Sequence, residues 1–260
     1  MVVFFDIDGT IVDNETQIIP DSTVEAIRLL KENGHIPVVN TGRPFGHMDP
    51  RILELGFDGW VCACGMELLL RGEFVYQDYL SAEVCDFIIE QCDKYNMLIQ
   101  AETDGDLYYN GDREYTSAPL REANRLASKG IRVIPYQSVE DRRFIKFVTH
   151  ETEKSDRAGF LAATRDYITP MIHRGTMIEY CKRGNTKAKG MERLLQILNV
   201  PREETFAIGD SENDLTMFAV AGTTICMGDG MEKLKAAATY ITDPVLEDGI
   251  FNALRHFGLI

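Results

Sequence analysis

Val2 to Phe5 is an unbroken run of four apolar residues that ends directly on Asp6-Ile7-Asp8-Gly9-Thr10. A strand without polar alternation must be covered on both faces, as a parallel strand inside an α/β sheet is. The two carboxylates then stand at the carboxyl end of that strand, the edge at which open α/β sheets bind ligands. A polar loop leaving a strand accounts for Gly9 and one Asp. It does not account for two acids spaced to face one site, and perturbed carboxylates gather at functional sites.

The same pattern recurs along the chain. His35 to Val39 reads as a second buried strand and ends on Asn40-Thr41-Gly42-Arg43-Pro44, which offers a hydroxyl, turn amides and a guanidinium, all phosphate-binding groups. TGRP alone is an ordinary turn. Between these strands, Ser22 with Glu25 is expected to form a capping box opening a helix that Gly34 closes. Ile208-Gly209-Asp210-Ser211-Glu212-Asn213-Asp214 is a third strand end with two acids four residues apart, the bland alternative being an acidic helix start. Gly228-Asp229-Gly230 lacks a second acid and reads as a turn. Lys187 opens a helix, where the macrodipole disfavours a cation. Taken singly it reads as a solvated surface charge, as does Lys189.

Around these motifs, strands and helices alternate at both ends of the chain, which implies a doubly wound parallel sheet. Further strands are expected at Gly59 to Ala63 and in a hairpin over Leu68 to Tyr76 turning at Arg71-Gly72. The middle has another texture. Helices are expected over Ser81 to Tyr95, Pro119 to Lys129 and Ser155 to Tyr167. Strands are expected near Leu98 to Glu102, Leu107 to Asn110, Arg132 to Tyr136, Phe144 to Thr149, Thr169 to His173 and Met177 to Cys181. That order suggests a separate α+β unit with largely antiparallel strands. The fold class is therefore α/β: a core formed by residues 1–80 and 185–260, interrupted by an inserted α+β module at 81–184.

Charge supports the division. The 260-residue chain carries 27 basic and 41 acidic residues, a formal charge of −14. Residues 81–184 hold 15 basic and 17 acidic residues, so the flanks hold 12 and 24. An acidic protein of this kind is a poor binder of nucleic acid or anionic membrane. No apolar run reaches the length of a membrane span and Met1 opens into a strand-like run, so a cytoplasmic protein is expected. Six cysteines without a CxxC pair read as buried free thiols. The absence of linkers and heptads points to a monomer.

Together, the DxDGT stretch from Asp6, the Thr41-Gly42-Arg43 segment, Lys187 and the GDSxND stretch from Gly209 resemble, in order and spacing, the four motifs of the haloacid dehalogenase superfamily. The insertion resembles the B-type class II cap of its Cof-type subfamily, as does the tail Ala238-Thr239-Tyr240-Ile241-Thr242-Asp243 with Glu247-Asp248-Gly249-Ile250. Two departures stand out. Cys64-Gly65-Met66 replaces the usual Asn-Gly-Ala turn after the third strand, and Ala188 replaces the Gly that usually follows the Lys.

The resemblance implies a Rossmannoid core with a specificity cap and a phosphatase acting on a small phosphorylated molecule, most plausibly a sugar phosphate. Asp6 would be the nucleophile and Asp8 the general acid and base. Thr41 and Gly42 would hold phosphoryl oxygens, Arg43 and Asn213 would contact substrate, and Lys187 would neutralise Asp6 and the phosphate. A carboxylate approaching a phosphate dianion at about 4 Å meets roughly 8 kcal/mol of repulsion at an effective dielectric near ~20. Mg²⁺ is the expected answer, held by Asp6, Asp210 and the backbone carbonyl of Asp8, with Asn213 and Asp214 orienting the ligands. Glu179, on the last inserted strand, is the candidate for reading sugar hydroxyls, against the alternative of an ordinary exposed strand residue. Competing readings are a phosphomutase of the phosphomannomutase type, which would need a basic cluster in the cap, where Arg142-Arg143 is the only adjacent Arg pair, and a catalytically silent regulatory module.

Overall fold

The computed structural model describes residues 1–110, 123–124, 126–128, 130–172 and 177–260. Most of the helix expected near 119–129, and the expected strand end at 173, lie outside them. Strands follow in chain order as β1 (Val2–Phe5), β2 (Ile36–Asn40), β3 (Gly59–Cys62), β4 (Glu67–Leu70), β5 (Glu73–Gln77), β6 (Leu98–Glu102), β7 (Asp106–Tyr109), β8 (Arg132–Pro135), β9 (Lys146–His150), β10 (Ile168–Ile172), β11 (Met177–Lys182), β12 (Thr205–Gly209), β13 (Thr223–Cys226) and β14 (Tyr240–Ile241). The chain divides into two compact units: residues 1–42, 50–77 and 186–260, and residues 43–49 with 78–185. The segment 43–49, expected within the 1–80 stretch, groups with the second unit.

The first unit carries an eight-stranded sheet in the order β14-β13-β12-β1-β2-β3-β4-β5. All pairs from β14 to β3 are parallel, and β4 and β5 close one side as an antiparallel hairpin. Its turn falls at Arg71 and Gly72, both at positive φ, as the tight hairpin requires. β1 is central and buried throughout. Burying each of its Val and Phe side chains stabilises the fold by about 1.5–3 kcal/mol. Strand order reverses beside β1, so the carboxyl ends of β1, β2 and β12 border one crevice.

The helix Asp21–Glu32 buries Thr23, Ala26, Ile27 and Leu30, one stripe at helical spacing. The expected capping box does not form. The helix begins at Asp21 after an extended Pro20, so Ser22 lies inside the first turn, its hydroxyl buried without a partner among the described residues. Glu25 is drawn to Arg28 instead. Gly34 follows the helix end at positive φ, as expected.

On the opposite face of the sheet, the helix Lys187–Leu198 buries Met191, Leu194 and Leu195 against Val2, Phe4, Val38 and Val61. It sits close because Gly190 meets Gly65. A Cβ added at Gly190 would stand 2.3 Å from Val61 Cγ1 and 2.6 Å from the Gly65 Cα.

The second unit carries a six-stranded sheet in the order β10-β11-β9-β6-β7-β8. Its pairs are antiparallel except β7 with β8. One face bears Ile99, Ala101, Phe147, Ile178 and Tyr180 and packs with side chains of the helices Ala82–Lys94 and Arg157–Thr164. Phe147 and Tyr180 stack with centroids 4.7 Å apart. All six cysteines are buried and unbridged. Among the described residues no helix is long and apolar enough to cross a membrane.

The Gly190–Gly65 approach leaves no room for a methyl group. Gly190→Ala is expected to destabilise the protein by about 1–3 kcal/mol, read as a lower urea midpoint with unchanged slope; an unchanged midpoint would show that the helix retreats without penalty.

Candidate active site

Asp6 is the first residue past β1, and its N–H still donates to the carbonyl of Ile208 at 3.0 Å, which holds the β1 and β12 ends together. The chain then turns through Gly9 at φ +81, with its α-carbon against Asp210. A Cβ there would fall 2.4 Å from Asp210 Oδ2. The Thr10 hydroxyl donates to Asp210 Oδ1 at 3.4 Å. The DxDGT loop is thus shaped around the acid that ends β12.

Lys187 is the first residue of its helix, whose opening is capped by Thr186 Oγ1 accepting from the Lys189 N–H at 3.1 Å. The side chain is buried, which corrects the reading of it as a solvated charge. Its ammonium donates to Asp6 Oδ1 and Asp214 Oδ1, each at 2.6 Å, and to Asn213 Oδ1 at 3.4 Å. Asp214 is fully used: its Oδ2 accepts from the N–H groups of Asp210 at 3.0 Å and Ser211 at 3.1 Å. The start of the 212–214 turn and the Lys187 ammonium therefore share one carboxylate, one oxygen each.

The pattern of haloacid dehalogenase-like hydrolases matches residues 3–254 of this sequence. The chain belongs to that family. It is 27% identical over 261 residues to the protein YkrA of Bacillus subtilis, covering all of this chain and 98% of that one. It is also 25% identical over 264 residues to a phosphoglycolate phosphatase of Picrophilus torridus, covering 100% and 92%. Among solved structures, the subclass IIB sugar phosphatase BT4131 superposes with a TM-score of 0.83 at 26% identity, covering 100% and 99%. The relatives with named activities are phosphatases, and the chain is a phosphoric monoester hydrolase of this family.

Hydrolases of this kind use a divalent metal, and the donor set suits one. Carboxylate oxygens of Asp6, Asp210 and Asp214 lie within 4.8 Å of one another. Three carboxylates face one ammonium, an all-oxygen anionic cluster of the sort hard divalent cations take. Burial, then Asp214, push the Asp6 carboxyl well above the usual carboxylate range, and Lys187 only partly opposes them. Burial, with Asp6 and Asp214, does the same to Asp210. Lys187 is driven the other way: burial disfavours its charge, but Asp214 and Asp6 more than compensate and hold it protonated.

Thr41 follows β2 and is gripped by backbone on both sides. Its N–H donates to Val61 at 2.8 Å, and its carbonyl accepts from the Cys64 N–H at 3.2 Å. Cys64 itself is left-handed (φ 57, ψ 36), a conformation in which Asn is several-fold enriched over most residues. The contact to Thr41 is made by backbone and needs no Asn side chain.

Arg43 and Glu179 belong to the second unit. Glu179 is not an exposed strand residue: it is 9% exposed and ion-paired to Lys146, whose Nζ also lies 3.7 Å from Glu102 Oε2. His47 completes this cluster, its Nδ1 3.9 Å from Glu102 Oε2 and its pKa lowered by burial against the pull of Glu102. Sequence reasoning missed Thr10, Lys146 and His47. The available signal was Lys146 opposite Glu102 in the β6–β9 register, which requires the strand pairing to be known.

Because the Asp6 and Asp210 pKa values are raised on folding, the metal-free protein is stabilised at low pH and loses that stability as pH climbs through about 7 and about 8. Deprotonated carboxylates are also what a metal binds. Added Mg²⁺ is therefore expected to raise Tm more on the alkaline side of that window than on the acidic side. A shift equal on both sides would mean that these carboxylates are not where the ion binds.

Proposed function

We propose that the protein is a Mg²⁺-dependent phosphatase that hydrolyses small phosphomonoesters, sugar phosphates foremost, through an aspartyl-phosphate. The observation that carries the reading is the buried Lys187 ammonium shared at 2.6 Å by Asp6 and Asp214 beside Asp210, at the carboxyl edge of the sheet. An isolated buried charge cluster is a liability for stability. A phosphoryl group together with a divalent cation gives it a use.

In the first step an Asp6 oxygen forms a bond to phosphorus as the bond to the ester oxygen breaks, and Asp8 gives that oxygen its proton. The alcohol leaves. Asp8, now ionised, takes a proton from a water whose oxygen attacks phosphorus, releasing inorganic phosphate and restoring both aspartates. Lys187 favours the anionic form of Asp6, in part against its buried setting, and offsets charge on the phosphoryl oxygens, and Thr41 and Gly42 supply donors to those oxygens. Asp6, Asp210 and the Asp8 carbonyl would hold Mg²⁺, which would supply neutralising positive charge when bound. Asn213 and Asp214 hold Lys187 and the 210–214 loop in place.

For the leaving group, the reading assigns Arg43 to substrate contact and Glu179 to sugar hydroxyls, with Lys146 setting the direction of the Glu179 carboxylate. The mutase alternative calls for free cationic groups in the second unit. Arg143 is instead taken by Asp141, and Arg142 lies over the Tyr136 ring with Nη1 3.4 Å from Asp86. A silent module would be expected to have lost Asp6, Asp8, Lys187 or Asp210, and all four are present.

The decisive assay is phosphate release from a panel of sugar phosphates and p-nitrophenyl phosphate with Mg²⁺ and then EDTA. EDTA-sensitive turnover is expected, and Asp6→Asn should abolish it; turnover surviving in that variant rejects Asp6 as nucleophile. Glu179→Gln is expected to raise KM for sugar phosphates while leaving p-nitrophenyl phosphate unaffected, and equal effects on both would remove Glu179 from leaving-group recognition.

A further inference from the structure

One buried polar residue beside this site has no part in the chemistry described above. β2 alternates between faces, and Val38 lies on the face covered by the helix Lys187–Leu198. Asn40, two residues on, falls on that same face, opposite Val61 in the β2–β3 register. The pattern calls for an aliphatic side chain there. A carboxamide, fully buried, takes its place.

The amide is only half satisfied. Its Nδ2 donates to the backbone carbonyl of Lys187 at 3.2 Å and lies 3.6 Å from Met217 Sδ. Its Oδ1 has no hydrogen-bond partner among the described residues. An unpaired buried acceptor costs stability, and an apolar residue of equal size would avoid that cost. Departures of this sort from local pattern concentrate at functional sites. What the amide achieves is a directional link between the end of β2, one residue before Thr41, and the residue that supplies the ammonium.

That link addresses a freedom the packing leaves open. The start of the Lys187 helix is located from its other side by the turn over residues 63–65, where Gly65 meets Gly190 and the Gly65 carbonyl accepts from Arg193 Nη1 at 2.9 Å. A contact between two glycines sets how near the helix stands to the sheet, and the Arg193 bond, six residues into the helix on a long side chain, opposes sliding of the helix start along its own axis only loosely. The hydrogen bond from Asn40 to the Lys187 carbonyl does resist it.

We propose that Asn40 is a positioning residue for phosphoryl transfer: its side-chain amide fixes the first residue of the Lys187 helix and so holds the ammonium between Asp6 and Asp214. The proposal rests on the hydrolytic reading of the site. It makes Asn40 act through Lys187 and gives it no contact with substrate.

Asn40→Leu removes the donor and the orphan acceptor while keeping the branching and number of side-chain heavy atoms. The variant is expected to fold with a Tm at or modestly below the parent's, because the Lys187 carbonyl keeps its intrahelical bond and the orphan acceptor is removed while the Lys187 pairs are loosened. Its KM for p-nitrophenyl phosphate should stay within about threefold while kcat falls by about 10²-fold, the loss a misplacement of about 1 Å brings. Its crystal structure should show the Lys187 ammonium displaced from one or both carboxylates. A folded variant with unchanged kcat, or a lower Tm with unchanged kcat, makes Asn40 merely structural and overturns the proposal. Should Asn40→Leu not fold, Asn40→Ala, which removes the donor and relieves any crowding, is read in the same way. If the parent hydrolyses no phosphomonoester, the proposed function fails on that result, and the position of Lys187 in the variant crystal still decides the role of Asn40.

Discussion

Lys187 is buried and shares its ammonium equally between Asp6 and Asp214. Breaking such a set by removing one partner costs about 3–5 kcal/mol, so the three side chains stand or fall together. They come from residues 6, 187 and 214, positions that only the assembled sheet can join. Parallel strands make the meeting possible. β1, β2 and β12 run the same way, so the loops that follow them leave from one edge, and each loop begins with the polar residues that a buried strand cannot hold. The backbone bond from Asp6 to Ile208 and the bare α-carbon of Gly9 against Asp210 then bring the acids close.

Closeness has an electrostatic consequence. Three carboxylates and one ammonium leave an excess of negative charge in a place that water reaches poorly. Proton uptake by Asp6 and Asp210 is one way to relieve it, and a divalent cation is the other. The same imbalance therefore accounts for the perturbed acids and for a donor set that suits a divalent cation. A similar arrangement occurs in the second unit on a smaller scale. Lys146 lies between Glu179 and Glu102 on a sheet face, with His47 beside them. There too, charge in a strand is tolerated because its partners come from neighbouring strands, Glu102 directly opposite Lys146 and Glu179 on the diagonal, opposite Val148.

Much of the first unit was legible in the sequence because its signals are local. Val2 to Phe5, the Asp-rich loop after it, the Arg71-Gly72 hairpin and the Gly34 helix end depend on neighbours in the chain and occur where expected. Failures came where a residue had two possible local partners or a distant one. Ser22 and Glu25 have the spacing of a capping box, but Pro20 takes the N-cap two residues early and Arg28 competes for the Glu. Taken singly, Lys187 reads as a surface charge at a helix start because nothing near it in sequence neutralises it, and only its place among the four motifs marks it out. Asn40 passes for the first residue of a phosphate loop until the strand register shows it facing the helix.

By itself, the sequence determined the type of sheet, the acids at its edge and the family, because hydrophobic runs and motif spacing are properties of the chain. It determined the residue types the chemistry needs, and with them the class of reaction. Tertiary structure alone decided which oxygen of Asp214 serves the helix start and which serves Lys187, that Glu179 is paired and buried, that residues 43–49 group with the second unit, and that an amide on β2 reaches the carbonyl of Lys187. The reason is range. Periodicity and capping act over a few residues, whereas burial and charge pairing are settled by groups up to some 200 positions apart, and their partners exist only once the strands have taken their order.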